Sequence, residues 1–164
     1  MILHEFPFFT HPQPDLLADM AHAQFCLVMP GNVQSSGHLA DAFFTGLYET
    51  ALKPGELITA VSFPIPQKAA YIKYKQPASR FALVGVFVAQ TSAGVRVAVT
   101  GAAGSVFRCK PLEDALGKSF TPEAAKAVKV SADGLNGDLH GSAAYRAAMI
   151  SVMASRAVAA ALAR

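Results

Sequence analysis

The stretch YIKYKQPASRFALVGVFVAQTSAGVRVAVTG, Tyr71 to Gly101, decides the fold. Side chains of a strand alternate between two faces. In Tyr71–Lys75 this puts Tyr71, Lys73 and Lys75 on one side and Ile72 and Tyr74 on the other. Phe81–Ala89 is an unbroken apolar run rich in Val and Phe. It is too short to cross a membrane and suits a strand covered on both faces. Gln90–Gly94 carries Thr, Ser and Gly, the residues that turn a chain. Val95, Val97 and Val99 then alternate with Arg96 and Ala98, the pattern of a returning hairpin arm. The expected core is therefore an antiparallel sheet.

Working outward, Pro111–Leu116 begins a short helix that Gly117 is placed to end. Thr121-Pro122-Glu123 is a helix start, with Thr as cap, Pro in the first turn and an acid near the positive end of the helix dipole. Asp133–Asp138 (DGLNGD) reads as a loop; without a bidentate Glu at the required spacing it is not a calcium loop. Ser142 caps a long alanine-rich helix running towards Arg164. Tyr145, Met149, Val152 and Met153 are expected along its sheet-facing side. On the N-terminal side, Glu56–Phe63 alternates as a strand, ended by Pro64 and Pro66. Leu39–Leu52 reads as a short helical or irregular segment, and Asp15–Gln24 as a short helix. The fold class expected is α+β: an antiparallel sheet of about four strands packed by helices, closed by a long C-terminal helix.

Composition narrows the function. The chain has 164 residues, 52% of them hydrophobic and 15% charged, which suits a globular domain with a real core. Residues 1–52 contain no Lys or Arg and five acids; residues 53–164 hold all 14 basic residues and six acids, a net of +8. The positive charges are scattered, with no run of three, which argues against nucleic acid and for an anionic cofactor or an acidic partner. His4, His11, His22 and His38 lack the spacings that gather metal ligands. Cys26 and Cys109 are far apart and without a CxxC pattern, and are read as free thiols. The N-terminus lacks the pattern of a secretory signal, so a cytoplasmic protein is expected. No nucleophile–base pair and no GxSxG motif is visible; no catalytic residue is assigned.

A longer series of segments carries a resemblance. It comprises Phe43-Phe44-Thr45-Gly46-Leu47 with Glu49-Thr50-Ala51-Leu52, Pro54-Gly55-Glu56-Leu57-Ile58, Lys75, and Ala78-Ser79-Arg80-Phe81-Ala82-Leu83-Val84-Gly85-Val86. It continues through Val97-Ala98-Val99-Thr100-Gly101, Phe107-Arg108, Asp138-Leu139-His140-Gly141-Ser142-Ala143 and Tyr145-Arg146. This collinear series resembles the FAD-binding medium subunit of aerobic carbon monoxide dehydrogenase, within the wider xanthine dehydrogenase and molybdenum hydroxylase flavoprotein family. The resemblance covers the C-terminal portion of that subunit. It implies three parts here: an unplaced, irregular segment 1–38, the end of the FAD-binding domain at 39–66, and a C-terminal-like domain at 67–164.

The resemblance also implies a cofactor, FAD, and partners: a large subunit with the molybdenum cofactor and a small subunit with 2Fe–2S iron–sulfur clusters. Electrons would pass from those clusters through FAD to an acceptor. Two positions implied to contact FAD are Ile58 and Lys75. Read from the residues alone, Ile58 is ordinary sheet packing and Lys75 a solvated lysine. The family holds the FAD pyrophosphate in glycine-rich loops of its N-terminal portion, and this sequence has no Gly-Gly dipeptide. The alternative expectation is a non-enzymatic subunit-docking module or a truncated relic unable to bind FAD.

Overall fold

A computed structural model of the chain describes residues 43–46, 49–54 and 65–163. The central feature is a four-stranded antiparallel sheet in the order β3-β4-β5-β6, with β3 at Lys68–Lys75, β4 at Ala82–Thr91, β5 at Gly94–Thr100 and β6 at Phe107–Arg108. The hairpin is tighter than its sequence suggests. Strand β4 runs on to Thr91, which pairs with Gly94 around Ser92 and Ala93. Gly94 takes φ +113°, a conformation that glycine adopts without strain.

One face of the sheet is the main core. Val84, Val86 and Val88 of β4 and Val95, Val97 and Val99 of β5 are buried there, with Ala70 from β3. Three helices cover this face: α1 at Lys110–Lys118, α2 at Pro122–Ala127 and α3 at Ala143–Leu162. Helix α3 packs on β3, β4 and α2, and α1 packs on β5. Thr121 and Ser142 cap α2 and α3 as expected, accepting from the amides of Ala124 and Tyr145. Ser151 Oγ donates to the Val128 carbonyl at 2.6 Å and so ties α3 to the end of α2.

Three local expectations are corrected. Gly117 lies inside α1, because Leu116 is buried and its packing outweighs the roughly 1 kcal/mol that an interior glycine costs. On α3 the fully buried positions are Ile150, Met153, Ala154, Ala157, Val158 and Ala161. Of the expected stripe only Met153 is among them; Met149 and Val152 are half-buried and Tyr145 is exposed. The small alanines are what let the helix lie close to the sheet. Within Leu39–Leu52, Phe44–Gly46 (β1) and Glu49–Thr50 (β2) form a short antiparallel pair rather than a helix. Asp15–Gln24 and the expected strand Glu56–Phe63 lie outside the described residues.

The opposite sheet face carries a smaller cluster, Ala98 and Val106 with Phe44 and Phe87 packed on them. Beside it Tyr71 reaches over Gly85, and its hydroxyl meets Thr100 Oγ1 at 3.0 Å. A Cβ on Gly85 would run into that hydroxyl and into Thr100 Oγ1, so a larger residue there would have to displace both side chains. Burial pushes the Tyr71 hydroxyl's pKa up, with the Thr100 hydrogen bond opposing in part.

Candidate functional site

Lys75 is the last residue of β3. Regular pairing with β4 holds through Tyr74, opposite Val84, and then shifts so that Lys75 lies opposite Ala82. Such an irregularity re-aims the side chain that follows it. Lys75 is exposed, and no carboxylate among the described residues pairs with it. Up to Tyr74 the alternation holds as expected. Ile72 packs on the core, Tyr74 turns towards α3 and Tyr71 towards the opposite face.

Beyond Lys75 the chain folds back within six residues, and Gln76 organises the return. Its backbone N–H donates to Phe81 O at 2.8 Å, and its carbonyl accepts from the Arg80 amide at 2.9 Å. Its side-chain oxygen accepts from the amides of Ala78 and Ser79 at 2.6 and 2.9 Å. Arg80 takes φ +60°, a left-handed conformation that a non-glycine residue adopts only where its surroundings hold it there. Phe81 is thereby turned outward, 68% exposed.

A second loop meets this turn. Asp138 and Gly141 exchange backbone hydrogen bonds, and Asp138 Oδ1 accepts from the His140 amide at 2.8 Å. His140 Nδ1 lies 3.4 Å from Gln76 Nε2. Leu139, between Asp138 and His140 in the sequence, is fully exposed. Below the loop lies Arg146 of α3, only 3% exposed. One terminal nitrogen donates to Leu83 O (2.7 Å) and Gly101 O (3.0 Å), the other to Asp138 Oδ2 at 2.7 Å. Gly101 sits at φ +72° against the Ala82 carbonyl, so the strand ends can approach closely enough for one guanidinium to bridge them. The Asp138 carboxyl is held below the usual carboxylate range, first by the His140 amide, then by Arg146.

Elsewhere, Glu113 of α1 accepts from the Val97 amide and from Arg108, completing the strand edge that two-residue β6 leaves short. Cys109 is a free thiol at the start of α1, its pKa raised chiefly by burial. An open cleft between Gly46, Phe107 and Val130 shares no residue with the Lys75 turn. No group of three or more His, Cys, Asp or Glu could hold a metal among the described residues, and no helix there is long and apolar enough to cross a membrane.

Of the two positions expected to contact a cofactor, Lys75 stands at this sheet end, while Ile58, His4, His11, His22, His38 and Cys26 lie outside the described residues. Reading the sequence missed that Gln76 and His140 meet at the turn after Lys75. The Gln-Pro pair just after a strand was the available signal for the turn.

The chain is similar to known proteins in sequence and in fold. The chain is 35% identical to the nicotine 6-hydroxylase medium subunit of Paenarthrobacter nicotinovorans, over 73% of this chain and 46% of that relative. It is 32% identical to the carbon monoxide dehydrogenase medium chain of Hydrogenophaga pseudoflava, over 99% of this chain and 59% of that relative. The chain belongs to the medium-subunit family of carbon monoxide dehydrogenase and related molybdenum hydroxylases. It spans about half the length of the curated relatives it matches. Among solved structures, a chain of reconstituted CO dehydrogenase from Oligotropha carboxidovorans superposes with TM-score 0.60 at 25% identity, covering 81% of this chain and 49% of that one. A chain of quinoline 2-oxidoreductase from Pseudomonas putida 86 shares the fold, with TM-score 0.61 at 24% identity over 78% of this chain and 47% of that one. No family model matches the sequence.

Proposed function

We propose that this medium-subunit chain contributes one wall of an FAD site in a molybdenum hydroxylase of the carbon monoxide dehydrogenase type. The observation that carries this reading is Lys75, an exposed ammonium that no carboxylate among the described residues pairs with, at the sheet end where the strand pairing shifts register. FAD, when bound, supplies a carrier that takes electrons from iron–sulfur clusters and passes them to an acceptor. The fit is of one kind. Lys75 offers positive charge where a flavin ring gains electron density, and the exposed Phe81 ring lies close by in sequence and turn. Ile58 is the proposed apolar contact on the ring. The glycine loops that hold a pyrophosphate are not found in this sequence, so the chain's contribution is to bind and orient the ring rather than the diphosphate. The partners proposed are a large molybdenum subunit, where substrate would be oxidised, and a small iron–sulfur subunit.

A FAD titration of the purified chain, followed by visible absorbance, tests this. Saturable binding is expected, weakened about three- to tenfold by Lys75→Ala, the scale of one lost charged contact. Ile58→Ala should weaken it as well. Lys75→Ala should leave the unfolding free energy within about 0.5 kcal/mol, as for other exposed positions. No saturable binding, or binding indifferent to Lys75, would overturn the reading. A second reading, a docking module without cofactor, is favoured by the exposed Phe81 of the turn and the exposed Leu139 of the loop that meets it. Capture of purified iron–sulfur and molybdenum subunits by a chain that binds no FAD would select it.

A further inference from the structure

We propose that His140 is a positioning residue for Lys75, fixing the Gln76 turn from a loop that buried Arg146 anchors to the sheet. This rests on the reading of Lys75 as a flavin contact, and adds to it what holds that lysine in place.

The argument follows a continuous path of hydrogen bonds. Arg146 joins the carbonyls of Leu83, in β4, and Gly101, just after β5, to the carboxylate of Asp138. Asp138 holds the His140 amide, and the paired backbones of Asp138 and Gly141 close the loop on itself. The imidazole is thus presented from a rigid base. Gln76 has both ends of its side chain engaged. Its oxygen is occupied by the amides of Ala78 and Ser79, so its nitrogen alone faces His140. Nδ1 accepts that N–H when it carries no hydrogen of its own.

The geometry separates this role from folding. The link between Gln76 and His140 is solvent-exposed, so cutting it opens no cavity and strands no buried group. Lys75 adjoins Gln76 directly, at the point where the pairing register shifts. Without the imidazole, the amide of Gln76 keeps only its bonds within the turn, to Ala78 and Ser79, and the turn loses this side-chain tie to the Asp138–Gly141 loop. Lys75 must then be ordered by the ligand instead of before it arrives, which costs affinity.

The test uses the full chain with His140→Ala and His140→Asn, whose side-chain oxygen can replace Nδ1 as acceptor. His140→Ala is expected to melt with the wild type, to bind FAD about three- to tenfold more weakly, and to exchange the amide hydrogens of Ala78 and Ser79 faster. His140→Asn should restore both properties. In a Lys75→Ala background, His140→Ala should cost no further FAD affinity, because the two residues then act through one contact.

Unchanged affinity in His140→Ala, or a loss that persists in full without Lys75, would overturn the positioning role. Should the wild type bind no FAD, the functional reading fails by itself. The exchange measurement on the flavin-free chain still decides the link: unchanged exchange at Ala78 and Ser79 would sink it, and faster exchange rescued by Asn would uphold it.

Discussion

Val84, Val86 and Val88 lie wholly out of water, in one cluster with Ile150, Met153 and Val158 of α3. A few residues away on the same sheet, Lys75 stands in solvent and its turn is held by Gln76, His140 and Asp138, every link polar. The first region is held by area removed from water, about 1.5–3 kcal/mol for each large buried side chain. The second is held by geometry, through exchanges with solvent that are individually worth about 1 kcal/mol or less. A core of the first kind tolerates change in its polar rim, and a site of the second kind can be altered without unfolding the domain. Arg146 is where the two meet, since it is buried like the core yet bonded like the rim.

Substitutions can test whether these regions separate as described. The largest effect is expected from Ile150→Ala, which removes a fully buried side chain and should cost about 2–5 kcal/mol in urea unfolding. The turn should remain intact in the molecules that stay folded, with amide exchange at Ala78 and Ser79 unchanged below the transition. Arg146→Ala comes next. It strips donors from the carbonyls of Leu83 and Gly101 and should cost roughly 1–3 kcal/mol. Unlike Ile150→Ala, it should also free the Asp138–Gly141 loop. A variant that lost stability but left that loop protected would break the assignment of Arg146 to both regions.

The smallest effect concerns acid. The Asp138 carboxyl has a lower pKa folded than its ordinary value of about 3.9. Its contribution is therefore complete above that ordinary value and is lost as pH falls through the lower, folded value. The melting temperatures of wild type and Asp138→Asn, measured from about pH 5 down to pH 2, should converge as acid is added. A gap that stayed constant over that range would show that the charge on Asp138 plays no part in the clasp.

How much of this could be read from the sequence follows from the range over which each force acts. Strands β3, β4 and β5 were legible because alternation and unbroken apolar runs are local signals. The Thr121 and Ser142 caps were legible because a cap bonds only three residues ahead. The buried side of α3 is not legible in the sequence because Tyr and Met are larger core candidates, with more apolar surface, than Ala147, Ala154 or Ala157, yet close packing selects the alanines. Arg146 resembles a solvated helix residue until Leu83, 63 positions earlier, is known to lie against it. Lys75 is singled out by family resemblance alone; His140, 64 positions from Gln76, gives no local sign of their partnership.

The tyrosines have an optical consequence. The chain contains no Trp and four Tyr, so its near-ultraviolet spectrum is a tyrosine spectrum. Tyr71 is locked across Gly85 on one side of the sheet, while Tyr74 and Tyr145 stand edge to face at 6.5 Å on the other, next to the Lys75 turn. The protein thus carries its own reporters at both places, readable without a label.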